Sequence, residues 1–238
     1  MSTVAVAIVC KTPISGASKT RLSPPLRPDE CAAISACFIR DLSKTIRSLA
    51  ADGDVTGYAV YTPRGSEASL KRLLPEEFRL LPQIDGDFGE RLLQAAIDLI
   101  QAGHAGALLL NSDSPTLPKT ILRQAVDAVR RSDSVVLSPA FDGGYTLIGL
   151  SKPLARFFAE IPWSTSEVYE RTLDRAREVG VPVVNVPGWY DVDDATSLRM
   201  LEAELSGEHP PFAAMDLIGA EAPATRQFMR ARQTAPVT

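Results

Sequence analysis

The sequence predicts an α/β protein whose mostly parallel sheet is sandwiched between helices. Three observations carry that prediction. Short β-branched runs alternate with helical stretches along 238 residues. Most of those runs are apolar without polar alternation, as strands covered on both faces are. A 45% hydrophobic composition is enough for one large domain rather than two small cores.

In chain order, residues 4–9, 55–61, 107–110, 135–137, 145–150 and 181–186 read as strands. Between them, Cys31, Ile34, Phe38, Leu42, Ile46 and Leu49 recur at helical spacing, as do Leu92, Leu93, Ala96, Ile97 and Ile100. These are covering helices. Residues 153–180 hold two helical patterns interrupted by Ile161-Pro162-Trp163-Ser164-Thr165, where Ser164 or Thr165 can cap the second helix. Residues 1–206 are expected to form the domain. Residues 207–238, rich in Ala, Pro and Thr, are expected to be a loosely ordered tail with about one helical turn, able to pack on a neighbouring copy in a homodimer.

Composition excludes several functions. Basic residues are scattered and the net charge is -4, which argues against a nucleic-acid surface. The opening apolar run lacks a basic flank and is too short to span a bilayer, so no membrane role is expected. Cys10, Cys31 and Cys37 lack the paired spacing of a zinc or redox motif, which fits reduced thiols in a cytoplasmic protein. With only His104 and His209 in the chain, any metal must be held by oxygen, which favours magnesium or manganese.

The candidate chemistry lies at strand ends. The first strand runs into Lys11-Thr12-Pro13-Ile14-Ser15-Gly16-Ala17-Ser18-Lys19-Thr20-Arg21, a loop of small residues with three cations. Gly16, Ala17 and Ser18 are expected to leave backbone amides accessible to phosphate oxygens, while Lys11, Lys19 and Arg21 offset their charge; taken alone, the loop reads equally as a solvated basic loop. The strand at 107–110 ends at Asn111-Ser112-Asp113-Ser114-Pro115. In open α/β sheets ligands bind beyond the carboxyl ends of strands, so Asp113 sits where a metal ligand is needed; an N-cap for the following helix is the rival role, though Thr116 or Pro118 lies nearer that helix's start. Asp142-Gly143-Gly144-Tyr145 follows another strand and suits either a hairpin turn or a close approach to a ligand. Tyr190-Asp191-Val192-Asp193-Asp194 is a third acidic stop, with more carboxylates than a helix cap requires. Gly86-Asp87 precedes the second long helix and suits either a pocket wall or a plain helix start.

Taken together and in order, the first loop, Gly86-Asp87-Phe88-Gly89-Glu90-Arg91, Ser112-Asp113-Ser114-Pro115, Asp142-Gly143-Gly144-Tyr145, Trp163-Ser164-Thr165 and Asp191-Val192-Asp193 resemble one bacterial family. It comprises glycosyltransferases of the glycosyltransferase A fold, often labelled arsenosugar-biosynthesis glycosyltransferases. The wider superfamily includes nucleotide-diphospho-sugar transferases, phospholactate guanylyltransferases and molybdenum-cofactor nucleotidyltransferases. The resemblance implies a Rossmann-like three-layer α/β/α sandwich, with the nucleotide over the first loop and a metal bridging its phosphates to Asp113. Asp193 matches the superfamily's second acidic position, and Lys19 and Arg21 its triphosphate-gripping cations. Ser112-Asp113-Ser114 departs from the family's Thr-Asp-Cys and from the Asp-x-Asp of many glycosyltransferases. One aspartate is therefore expected from this loop.

The implied activity is glycosyl transfer from a nucleotide sugar to a small acceptor, catalysed with Mg2+ or Mn2+ held by Asp113 and Asp193. In that reading Lys11, Thr12, Pro13, Gly16, Lys19, Arg21, Gly86 and Asp87 line the donor side. Asp142, Gly143, Gly144, Tyr145, Trp163, Ser164 and Thr165 shape the donor and acceptor pockets. Nucleotidyl transfer with pyrophosphate release is the alternative, and a non-catalytic nucleotide-binding protein on the same fold is a third reading.

Overall fold

A computed structural model of the chain describes residues 2–131 and 133–234. Seven strands form one sheet: β1 (Val4–Lys11), β2 (Val55–Thr62), β3 (Arg79–Pro82), β4 (Gly106–Asn111), β5 (Val135–Pro139), β6 (Tyr145–Leu150) and β7 (Val183–Asn185). Their spatial order is β3-β2-β1-β4-β6-β5-β7. β6 runs antiparallel to both its neighbours, and every other pairing is parallel. The chain builds outward from β1 through β2 to β3, then returns to place β4 on the other side of β1. That reversal opens a crevice above the carboxyl ends of β1 and β4.

Alternation along each central strand divides the core between two faces. Val4, Val6 and Ile8 of β1 and Leu108 and Leu110 of β4 pack against α1 (Pro28–Ala50) and α4 (Lys119–Arg131). Ala5, Ala7, Ala107 and Leu109 point the other way, toward α3 (Phe88–Gln101) and α5 (Val168–Val179). The result is the expected three-layer α/β/α sandwich. Both faces are apolar, which is why the strand sequences show no polar alternation. The short α2 (Glu67–Lys71) and the helix α6 (Ala195–Leu205) complete the domain. No described helix is long and apolar enough to cross a membrane.

Three local expectations differ from the structure. The run at 181–186 pairs only over Val183–Asn185, at the sheet edge. The first half of residues 153–180 forms a single 3-10 turn, Ala155–Phe157, rather than a helix. Neither Ser164 nor Thr165 caps α5, because Thr165 turns back to Pro162 O at 2.7 Å and Ser164 adopts φ 65°.

Residues 207–234 differ from the loosely ordered tail expected there. They carry α7 (Pro223–Thr234), which buries Thr225 and Met229 and packs on the chain's own α1. Asp41 of α1, 2% exposed, accepts from the first free amides of α7, Ala224 N at 3.0 Å and Thr225 N at 2.8 Å. A carboxylate from another helix thus supplies the N-terminal cap. Upstream, Phe212 lies against Phe141, with ring centroids 3.8 Å apart, and edge-on to Trp189. The tail expected at residues 235–238 lies outside the described residues.

Candidate functional site

The first loop folds onto itself before it meets the site. Ala17 N and Ser18 N both donate to Ile14 O, and Ser18 Oγ accepts from Ile14 N at 2.9 Å. Those two amides are spent on the turn, contrary to the expectation that they face a phosphate. Gly16 permits the turn with φ 76°. Thr12 is buried and its hydroxyl meets Ser66 Oγ at 2.7 Å. A 3-10 turn, Thr20–Leu22, then drops Leu22 into the core and fixes the residues on either side of it.

Lys19, at the start of that turn, reaches across to the ends of two other segments. Its Nζ lies 2.8 Å from Asp113 Oδ1, 2.7 Å from Asp193 Oδ1 and 2.8 Å from Val192 O. Burial alone would lower the pKa of this ammonium, but the charges of Asp113 and Asp193 outweigh it and hold it above the usual lysine range. Arg21 approaches the other oxygen of Asp193, Nη2 to Oδ2 at 2.8 Å, from the solvent side. Asp113 lies two residues beyond β4 and also accepts from Ser112 Oγ at 2.9 Å.

The acidic stop is held in register by Val192, which is fully buried and whose N donates to Asp113 O at 2.8 Å. In extended backbone, residues two apart face the same way. Val192 therefore points into the core while Asp191 and Asp193 share the opposite side. Asp194 serves the helix instead, capping α6 through Thr196 N and Ser197 N. Asp142, in the turn joining β5 to β6, comes within reach of the pair. Among the described residues, Asp142, Asp191 and Asp193 each present an oxygen within 4.8 Å of the others. Burial, then the charges of Asp142, Asp193 and Asp113, push the Asp191 carboxyl up to about 7.

These four carboxylates line a cleft of about 450 Å³ together with Arg21 and an apolar wall that includes Phe88, Leu92, Tyr145 and Trp163. Trp163 sits edge-on to Phe88 at 5.1 Å and to Tyr145 at 6.4 Å between centroids. Gly143 has φ 88°, and a Cβ there would lie 2.1 Å from Ser166 O, so the turn and the 163–166 segment close together only through a glycine. Gly144, Ser164 and Thr165 line the same cleft. A smaller cavity of about 280 Å³ opens on the other side of Asp113 and Asp193, bordered by Lys11, Lys19 and Arg21.

Several expected residues stand apart from the larger cleft. Lys11 reaches only the smaller cavity, and Thr12, Pro13 and Gly16 border neither. Gly86 and Asp87 belong to the helix start, where Asp87 Oδ1 accepts from Glu90 N and Glu90 Oε2 accepts from Asp87 N. Conversely, Leu92 lines the cleft although its sequence pattern marked it only as a helix residue, and Phe88 does so from within the motif that begins at Gly86. Asp191 could have been singled out from its spacing of two with Asp193.

Comparison with known proteins places the chain among transferases of this fold. The chain is similar to the 2-phospho-L-lactate guanylyltransferase of Methanobrevibacter ruminantium, at 24% identity over 80% of this chain and 81% of that protein. Its fold matches a "putative nucleotide-diphospho-sugar transferase" from Desulfovibrio desulfuricans G20 with a TM-score of 0.82 at 25% identity, covering 98% of this chain and 96% of that one. CMP:2-keto-3-deoxy-manno-octonic acid synthetase, solved with CTP, shares the fold at a TM-score of 0.57 and 11% identity, over 87% of this chain and all of that one. The family profile described as "Uncharacterized protein conserved in bacteria (DUF2064)" matches residues 45–165, half of the chain, including Asp113, Asp142 and Trp163. The chain belongs to this DUF2064 family.

Proposed function

We propose that this protein is a metal-dependent transferase acting on a nucleotide-activated donor, and that its reaction is glycosyl transfer from a nucleoside diphosphate sugar to a small acceptor. The observation that carries the reading is the convergence of Asp113, Asp142, Asp191 and Asp193 from three separate stretches of chain at one rim of the sheet. Carboxylate oxygens are the donors that magnesium and manganese prefer. Asp142, Asp191 and Asp193 would hold the ion, with Asp113 beside them. When bound, such an ion would offset charge on the leaving phosphate oxygens.

The rest of the chemistry belongs to the chain itself. Arg21, with a side chain 72% exposed, and Lys11, also exposed, can follow the phosphates of a bound nucleotide. Phe88, Tyr145 and Trp163 form a wall that orients an organic group and excludes water from it. The similarity to a nucleotide-diphospho-sugar transferase over nearly the whole chain supports sugar transfer.

Nucleotidyl transfer is the second reading, and the similarity to a guanylyltransferase over 80% of the chain favours it. The two differ in leaving group. Calorimetric titration with nucleotide sugars and nucleoside triphosphates, with and without Mn2+, followed by assays for released nucleoside diphosphate and pyrophosphate, separates them. Sugar transfer requires Mn2+-dependent binding of a nucleotide sugar and release of the diphosphate. Pyrophosphate release replaces the first reading with the second, and a folded protein that binds no nucleotide with metal refutes both.

A further inference from the structure

We infer that Lys19 is the resident counter-ion of this site, a positioning residue that clamps Asp113 to Asp193 and restricts a divalent ion to the far side of Asp193, toward Asp191 and Asp142. The inference rests on the metal-dependent reading above and revises the part the first-loop lysine plays in it. An ammonium has three hydrogens to donate and accepts none. Three oxygens stand within 2.8 Å of Lys19 Nζ, from Asp113, Asp193 and Val192. The donor set is full. A phosphate could take hold of this ammonium only by displacing one of those oxygens.

Its surroundings agree. The side chain is 8% exposed, and the Phe38 ring lies 5.9 Å from Nζ. The backbone of Lys19 is left-handed, φ 50° and ψ 40°, a conformation that a residue with a β-carbon keeps only where its contacts enforce it. A second cation cannot share the space between Asp113 and Asp193, because like charges at about 3 Å repel strongly in a partly dry cleft. Asp191 and Asp142 lie within reach of Asp193, where the cation already present is the exposed Arg21, 2.8 Å from Asp193 Oδ2 and free to swing into solvent, rather than a buried ammonium. The exposed Arg21 and Lys11 keep donors to spare, so they are the cations able to meet a nucleotide.

The test uses Mn2+ alone on the whole chain, read by calorimetry, by electron paramagnetic resonance and by anomalous diffraction from Mn2+-soaked crystals. In the wild type the ion is expected among Asp142, Asp191 and Asp193, with Lys19 Nζ still between Asp113 and Asp193. Lys19→Met leaves two carboxylates uncompensated, so without nucleotide it is expected to bind Mn2+ at least tenfold more tightly or to take up one additional equivalent. An ion found between Asp113 and Asp193, with the ammonium swung away, overturns the inference and leaves the metal-dependent reading standing. An unchanged Mn2+ isotherm in Lys19→Met, with triphosphate binding weakened instead, overturns it as well. Should that variant not fold, the position of Mn2+ in wild-type crystals decides alone. No Mn2+ in any isotherm or crystal removes the parent reading along with the inference.

Discussion

Replacing Asp191 with asparagine should make the metal-free protein more stable while removing its capacity to bind a divalent ion. Burial and three neighbouring carboxylates push the Asp191 carboxyl from 3.8 up to about 7. At about 1.4 kcal/mol per pH unit, the ionised side chain costs the folded state about 4 kcal/mol above pH 7. Water in the open cleft reduces this, so about 2–4 kcal/mol is the expected gain. The sign follows from proton counting. Between about pH 4 and pH 7 the folded chain keeps a proton that the unfolded chain has released, so wild-type stability falls as pH rises through that window and levels off above it. Asparagine has no proton to lose. The advantage of Asp191→Asn should therefore be full at pH 8, shrink to roughly half or less at pH 5 and vanish near pH 3. Urea unfolding in EDTA at these three pH values measures it, with Mn2+ calorimetry at pH 8 on the same samples. A loss of stability at pH 8, or a gain that does not change with pH, would refute the electrostatic account.

Asp113→Asn should lower turnover by about two to three orders of magnitude, since it breaks the arrangement of charges that the site presents to the donor; steady-state assays that show wild-type turnover would take Asp113 out of the chemistry. Asp41→Ala strips the cap from α7 and should cost about 1–2 kcal/mol. Hydrogen exchange of residues 223–234 should quicken in that variant, and unchanged exchange would contradict the capping role. Gly143→Ala places a methyl group 2.1 Å from Ser166 O in a backbone at φ 88°. It should lose at least about 2 kcal/mol and open the cleft, and a melting temperature equal to wild type would show that the turn can relax.

Legibility in the sequence tracks how local each structural cause is. β1 and β4 are readable because a strand covered on both faces is a plain apolar run. β3 is not: four residues, beginning at Arg79 and ending at Pro82, carry no such run, and the strand forms only because β2 offers an edge. α7 reads as polar sequence with two buried residues, and what anchors it, Asp41, lies 183 residues away from Ala224. The same holds at the site. Asp113 and Asp193 are legible as carboxylates that follow strands. The pairing of Lys19 with Asp193 spans 174 residues and depends on the path of the loop. The loop amides illustrate the limit from the other side. Small residues permit exposure of Ala17 N and Ser18 N, but the turn closed by Ile14 O takes both.

The antiparallel strand β6 changes how the rim can evolve. In a purely parallel sheet each loop at the carboxyl end must lead into a covering helix, so altering that loop disturbs helix packing. Because β6 turns back beside β5, residues 140–144 join two strands at the rim without starting any helix. The exposed Phe141 at this hairpin tip is therefore a position that can vary while the layers beneath stay as they are.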